Sequence, residues 1–184
     1  KAGGWDFVAG WGGADALSLV ANSSDQLVRI PGALAPHSVA VHPAPKRNVI
    51  TAWRAAAVGR VSVAGFVQDV HTDCGNGIGW RLEHRHGGLR EVLAEGVSEG
   101  GKQIPFGPFA DVSVRPGDLL ALVIGPRDSE HTCDLTAIDL SVTGGAGEAW
   151  SLAREVSPDI LAGNPHPDGA GRGVVWHCFS EPEG

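Results

Sequence analysis

The sequence predicts an all-β protein, either a sandwich or a barrel, and three observations carry that prediction. Glycine and proline are frequent, with 27 and 12 residues among 184, so the chain turns often. The runs between the turns are short and rich in β-branched residues, which favour strands. Good helix formers are sparse, which excludes helical bundles and long βα repeats. The recurring turn dipeptides are Pro31-Gly32, Gly87-Gly88, Gly100-Gly101, Pro116-Gly117 and Gly144-Gly145.

Apolar patterning predicts the individual strands. In residues 60–70, Val61, Val63 and Val67 share one face, as in a half-buried strand. Leu119 to Ile124 is nearly all apolar, which is typical of a central strand covered on both faces. The other predicted strands cover residues 49–53, 77–85, 89–94, 102–106, 111–114 and 135–142.

The strand at 77–85 shows the inside and the outside of a sheet most clearly. Alternation places one set of side chains inward and charged side chains outward. The inward set is Ile78, Trp80 and Leu82, and the outward set is Arg81, Glu83 and Arg85.

The two ends of the chain are predicted to pair with each other. Trp5 to Val8 and Val174 to Phe179 are both aromatic-rich and strand-like, so antiparallel pairing would seal a sheet edge. Only residues 149–161 have a helical pattern, and Pro158 limits that helix to one or two turns. We expect about ten short strands in total.

Size and charge limit the function classes. A chain of 184 residues, 42% hydrophobic, suits one domain over residues 1–184. Lys and Arg number 14 against 21 Asp and Glu, a net charge of −7, and without a basic run nucleic acid is not an expected partner. No apolar run approaches the roughly 18 residues that cross a bilayer, so no membrane insertion is expected.

Three cysteines indicate a disulfide. Cys74 and Cys133 lie in polar loops beside predicted strands, where two thiols can meet without disturbing a core. The alternative is a pair of unrelated thiols in a reducing compartment, since disulfides persist only under oxidising conditions. Cys178 lies in the aromatic terminal strand, where a small buried apolar side chain is expected.

The predicted disulfide would gather a polar cluster at one end of the sandwich. Carboxylate oxygens on loops suit calcium, and Asp69 and Asp134 are the expected ligands of a structural calcium ion. Hydrogen-bonding side chains on the same loops suit sugar hydroxyls. The alternative is a set of solvated residues that cap turns. The expected sugar ligands are Asp73, Asn76, Arg127, Asp128 and His131.

Six tryptophans are candidates for stacking on sugar rings. Four of them lie on apolar strand faces or at the paired ends, where burial is expected. Trp11, within Gly10 to Gly13, and Trp150, after Gly144 to Gly147, follow flexible segments. We therefore expect Trp11 and Trp150 to be the exposed contact residues.

The eight histidines do not predict a metal site or a catalytic centre. His84 and His86 share a strand face. They lie next to the Gly87-Gly88 turn, on either side of Arg85, which favours a solvated hairpin tip. Neither a zinc-protease HExxH nor a CxxC spacing occurs. A serine-hydrolase GxSxG elbow is also absent.

Short motifs spread over most of the chain carry a family resemblance. They are Ala52 to Arg54, Gly59 to Gly65, Cys74 to Glu83, Gly117-Asp118, Ile124 to Asp128, Cys133 to Leu140, Asp159 to Asp168 and Val175 to His177. They resemble the jelly-roll β-sandwiches of carbohydrate-binding type in large exported bacterial proteins, notably planctomycete-type cytochrome c proteins. The resemblance implies a jelly roll and an extracytoplasmic, non-catalytic role. The family pattern has an aromatic residue after Trp-His where this chain has Cys178.

The sequence therefore predicts non-catalytic polysaccharide binding by a module of a larger exported protein, extracellular or periplasmic. Its other partners would be further domains of the parent chain. Two alternatives stay open. One is a small secreted, metal-dependent, polysaccharide-active enzyme that uses a His cluster. The other is a purely structural or interaction domain, since a fold alone does not decide function.

Overall fold

The computed structural model describes residues 4–183, and two antiparallel sheets pack against each other as a sandwich. The first sheet contains β1 (Val8–Gly12), β2 (Ser18–Asn22), β5 (Ser38–His42), β7 (Gly59–Asp69), β10 (Ile104–Val114), β12 (Thr136–Gly144) and β13 (Ala149–Ser151). The second contains β6 (Arg47–Arg54), β8 (Ile78–His86), β9 (Leu89–Ser98), β11 (Leu119–Pro126), β14 (His166–Pro167) and β15 (Val174–Pro182). A separate hairpin consists of β3 (Val28–Arg29) and β4 (Ala33–Leu34).

Eight consecutive strands, β5 to β12, have the order of a jelly roll. In the first sheet the neighbours run β5-β12-β7-β10, and in the second β6-β11-β8-β9. This is the double Greek key of an eight-stranded jelly roll. The predicted all-β sandwich is confirmed. Within residues 4–183 there are fifteen strands rather than about ten, because short strands extend both sheets and three of them have only two residues.

The core lies between the two sheets and is built from the predicted inward faces. Both faces of β11 are buried, as its apolar run predicts, because Ala121 and Val123 on its outer face join a second small cluster with Ile50 and Ala52. The predicted residues found in the main core are Val61, Val63, Val67, Ile78, Trp80, Leu82, Leu120, Leu122 and Ile124.

The charged face of β8 points outward as predicted, but its central side chain, Glu83, is buried. Glu83 is only 2% exposed and accepts hydrogen bonds from Nε of Arg81 at 3.0 Å and from Nε of Arg85 at 2.6 Å. Arg85 also donates to both carboxylate oxygens of Glu181 on β15, at 3.1 and 2.8 Å. The network satisfies the buried carboxylate, which would otherwise be costly.

The predicted pairing of the chain ends is wrong. β1 pairs with β2 in the first sheet, and β15 pairs with β6 in the second. The packing of Trp176 favours the pairing of β15 with β6, because this position buries the ring completely in the core. Nε1 of Trp176 donates to Glu155 at 2.7 Å. The two end strands border the same small cleft on one side of the sandwich. Nε1 of Trp11 donates to the carbonyl oxygen of Ile160 at 3.3 Å. Trp5, expected to pack at paired ends, is exposed.

The predicted helical segment contains a helix of one to two turns, as expected, but the first three residues of the segment form a strand instead. Ala149–Ser151 continues the first sheet as β13, and α1 covers only Leu152–Val156. Ser151 caps this helix by accepting from the backbone N–H of Arg154. After Pro158 a single 3-10 turn follows at Ile160–Ala162. Among residues 4–183, no helix has the length and apolar character that a membrane span requires.

Candidate functional site

The disulfide predicted between Cys74 and Cys133 is present, with Cα atoms 5.6 Å apart. It joins the loop between β7 and β8 to the loop between β11 and β12. Cys133 is buried and Cys74 is exposed. Because disulfides persist in oxidising compartments, the bond is compatible with an exported protein.

Several segments meet at this end of the sandwich, which we call the disulfide end. Here β5 and β7 end while β2 and β12 begin, so the register pairs Ser18 with His42 and Thr136 with Asp69. Most of the predicted site residues lie on the two loops that the disulfide joins. The fold therefore brings those loops together, as the sequence predicted.

Asn76 and Arg127 bind each other rather than projecting freely. Nδ2 of Asn76 donates to the carbonyl oxygen of Arg127 at 3.0 Å, and Nη1 of Arg127 donates to the carbonyl oxygen of Asn76 at 3.1 Å. Arg127 also forms an ion pair with Glu99 at 2.7 Å. Asp73 and Asp128 are exposed on the same loops. Asn76 and Arg127 thus tie the loops together, whereas Asp73 and Asp128 remain open to solvent.

Asp69 and Asp134, the predicted calcium ligands, are both buried at the disulfide end. Oδ1 of Asp69 accepts from the backbone N–H of His71 at 3.0 Å. Asp134 is 1% exposed, and neither of its carboxylate oxygens has a hydrogen-bond partner among residues 4–183. Burial, with the nearby charges of Glu130 and Asp69, raises the pKa of Asp134 to about 7. Such a carboxyl is satisfied by a proton or by a cation.

Three histidines also gather at the disulfide end. The rings of His42 and His131 meet edge to face with centroids 6.1 Å apart. Burial lowers the pKa of His42, and the neighbouring His131 and His71 lower it further, so this ring is neutral at pH 7. Nδ1 of His42 lies 2.7 Å from the carbonyl oxygen of Pro43. Since a carbonyl only accepts, Nδ1 carries the proton and Nε2 is an acceptor.

A groove of about 550 Å³ runs from Trp11 to His42 and His71. Its size lies within the roughly 300–1,000 Å³ of typical ligand clefts. Trp11 is 45% exposed and is held in place by its hydrogen bond to Ile160. The groove ends at His42, His71 and Cys133. Trp11 also borders a smaller cleft of about 170 Å³ toward Phe179.

Comparisons of this chain with protein-family models, with curated proteins and with solved structures find no match.

Trp150 has a different environment from the exposed one expected. Its ring packs against Trp53, with centroids 5.0 Å apart, and the guanidinium of Arg172 lies 4.5 Å over it. The residue is half-buried. The short strand β13 places this side chain against the sandwich, so it does not offer an open stacking face as Trp11 does.

Cys178 is free, and we expect its thiol to be unreactive in the folded protein. The residue is half-buried, and the burial of its thiol raises the pKa to about 12, so very little thiolate is present at pH 8. A thiol-reactive dye added at pH 8 should label no cysteine in the native state and one per chain in denaturant without reductant. Rapid native labelling would contradict the burial, and labelling of three thiols would contradict the disulfide.

Proposed function

We propose that the protein is a non-catalytic polysaccharide-binding module that holds sugar rings in the groove beside Trp11. The observation that carries the proposal is an exposed indole, fixed by its own N–H, that forms one wall of a groove ending in polar side chains. Amphipathic side chains of this kind bind ligands that have one apolar face and several hydroxyls.

Each part of the groove has a role in this proposal. The carbon-bound hydrogens of a pyranose pack against the ring of Trp11, and Nε2 of His42 accepts a hydrogen bond from a sugar hydroxyl. Asp73 and Asp128 do not line the groove, but they are exposed on the two loops joined by the disulfide, where a longer glycan chain could reach them. His131 supports the ring of His42 from the edge. Asn76 and Arg127 hold these two loops together through their mutual hydrogen bonds.

Two further observations support a module of an exported protein. The motifs of the chain resemble jelly-roll modules of carbohydrate-binding type, and the jelly-roll strand order fits that resemblance. The disulfide fits an oxidising compartment. We place the protein outside the cytoplasm, extracellular or periplasmic, with other domains of its parent chain as neighbours.

A structural calcium at Asp69 and Asp134 remains part of the proposal. The unpartnered oxygens of Asp134 favour it. Calcium takes six to eight oxygen ligands, so backbone carbonyls and waters would have to supply most of them. Within residues 4–183 these two carboxylates belong to no compact group of three His, Cys or acidic side chains. The ion would offset the charge of a carboxylate that is otherwise buried without a partner.

Replacing Trp11 with alanine is expected to weaken glycan binding about tenfold or more, because the stacking wall is lost. The wild-type chain is first screened against plant and algal polysaccharides on an array, and the strongest ligand is then titrated calorimetrically. The Trp11→Ala variant is titrated with the same ligand.

Trp5→Ala is the matched control, because Trp5 is also exposed but does not line the groove. It should bind as the wild type does. Equal weakening in both variants would remove Trp11 from the site. Failure of the wild type to bind any glycan at millimolar concentration would refute the proposed function.

A further inference from the structure

Two histidines and a glutamate converge at the end of the sandwich opposite the disulfide. The Gly87-Gly88 turn joins β8 to β9 and sets the register of the hairpin, which places His84 directly across from Glu91. His86 is two residues further along β8, so it projects from the same face. One ligand atom from each of the three side chains lies within 4.8 Å of the others.

A second carboxylate, from another element, lies next to His84 at the edge of this group. Asp118, on the turn between β10 and β11, has Oδ2 at 3.5 Å from Nε2 of His84. His84 is 6% exposed, and this nitrogen has no hydrogen-bond partner in the described part of the chain. A buried, unpartnered imidazole nitrogen is costly unless a ligand satisfies it.

We propose that His84, His86, Glu91 and Asp118 bind a zinc ion. Two imidazoles and two carboxylates form a donor set that zinc accepts, and the two negative charges balance those of the ion. Bonds of about 2.0 Å in a tetrahedron separate neighbouring ligand atoms by roughly 3.3 Å. The separations of 3.5 Å from His84 to Asp118 and of 3.9 Å from His86 to Glu91 are close to this value. Asp118 lies outside the 4.8 Å group of the other three, so its side chain has to turn toward them.

Backbone hydrogen bonds already fix the position of Asp118, in the way that hydrogen bonds around a metal site fix its ligands. Oδ2 of Asp118 accepts from the backbone N–H of Arg115 at 2.8 Å. The carbonyl oxygen of Asp118 accepts from the backbone N–H of Ala55 at 2.9 Å. Fixing a ligating carboxylate in this way raises metal affinity. The same Oδ2 lies 3.5 Å from Nε2 of His84, so this hydrogen bond fixes the oxygen that faces the proposed ion.

The four residues line a cavity of about 950 Å³ that also contains Arg60, Arg115 and Asp111. The guanidiniums of Arg60 and Arg115 repel a cation. The carboxylate of Asp111, 3.8 Å from Arg60, offsets the charge of Arg60. The proposed zinc site therefore adjoins an open space. It lies at the other end of the sandwich from the glycan groove and does not depend on glycan binding.

Calorimetric titration with zinc chloride tests the proposal. The protein is the full chain, prepared without a His-tag, with its disulfide intact, and stripped of metal beforehand. At pH 7.5 we expect one zinc ion per chain, bound with micromolar or tighter affinity, and a higher Tm in its presence. His86→Ala and Glu91→Gln should each weaken binding about tenfold or more.

Two controls keep the result specific. His37→Ala removes an exposed histidine that pairs with Asp25, and it should leave zinc binding unchanged. His71→Ala tests the only other compact group of possible metal ligands among residues 4–183, in which both partner sulfurs are already bonded to each other. Because His86 and Glu91 are not buried, both test variants should keep the wild-type circular dichroism spectrum.

Two outcomes would overturn the proposal. One is a wild-type protein that binds zinc no more tightly than millimolar. The other is zinc binding that His71→Ala abolishes while His86→Ala and Glu91→Gln leave it intact. Either outcome would count against the zinc site whether or not the protein binds a glycan.

Discussion

Breaking the Cys74–Cys133 bond is expected to lower the free energy of unfolding by about 4 kcal/mol. The two cysteines are 59 residues apart in sequence, and closing a loop of this length removes much entropy from the unfolded chain. The double variant Cys74→Ser/Cys133→Ser should still fold, because the core lies between the sheets and the hydrogen bonds between Asn76 and Arg127 remain. Urea unfolding of the wild type and the double variant measures the difference.

A reductant provides the matching control. Because Cys178 is free, the reductant breaks one bond in the wild type and should bring it to the stability of the double variant. The double variant itself should not respond to the reductant. A loss of less than about 1 kcal/mol in both experiments would mean that the bond does not constrain the unfolded chain as the entropy model requires.

The sequence predicted the strands well because turns and alternation are local signals. The Val61 and Ile78 faces are buried as predicted, and the apolar run of β11 is central. Partner choice between distant strands is not local, so the pairing of the two ends was mispredicted. Aromatic content marks both β1 and β15 as strands, but the burial of Trp176 decides that β15 pairs with β6. A pattern of strands cannot show which sheet an end strand joins.

The candidate site was predicted in part, through the disulfide. Once Cys74 and Cys133 are joined, their two loops must meet, and this needs no knowledge of the fold. His42 was missed as a groove residue because its place beside Ser18 depends on long-range register. The sequence did contain the information needed to place Glu91 beside His84. A two-residue Gly-Gly turn fixes the hairpin register and so places Glu91 opposite His84.

The contribution of Asp134 to the free energy of unfolding should fall as the pH rises. The pKa of this buried carboxyl is raised from 3.8 to about 7 in the folded protein. Between these values the folded protein holds a proton that the unfolded chain has released, so raising the pH favours unfolding. At about 1.4 kcal/mol per pH unit, this carboxyl removes up to about 4 kcal/mol between pH 4 and pH 7. Urea unfolding in EDTA across this range measures the loss.

The Asp134→Asn variant isolates this contribution, because asparagine keeps the size of the side chain and cannot ionise. Its advantage over the wild type should increase between pH 4 and pH 7, whereas the exposed Asp128→Asn control should follow the wild type. A difference between Asp134→Asn and the wild type that does not change with pH would contradict the raised pKa. Millimolar calcium at pH 8 extends the test to the proposed ion. An increase in Tm in the wild type alone would show that a cation binds the ionised carboxylate of Asp134, and no increase would remove the proposed calcium from this site.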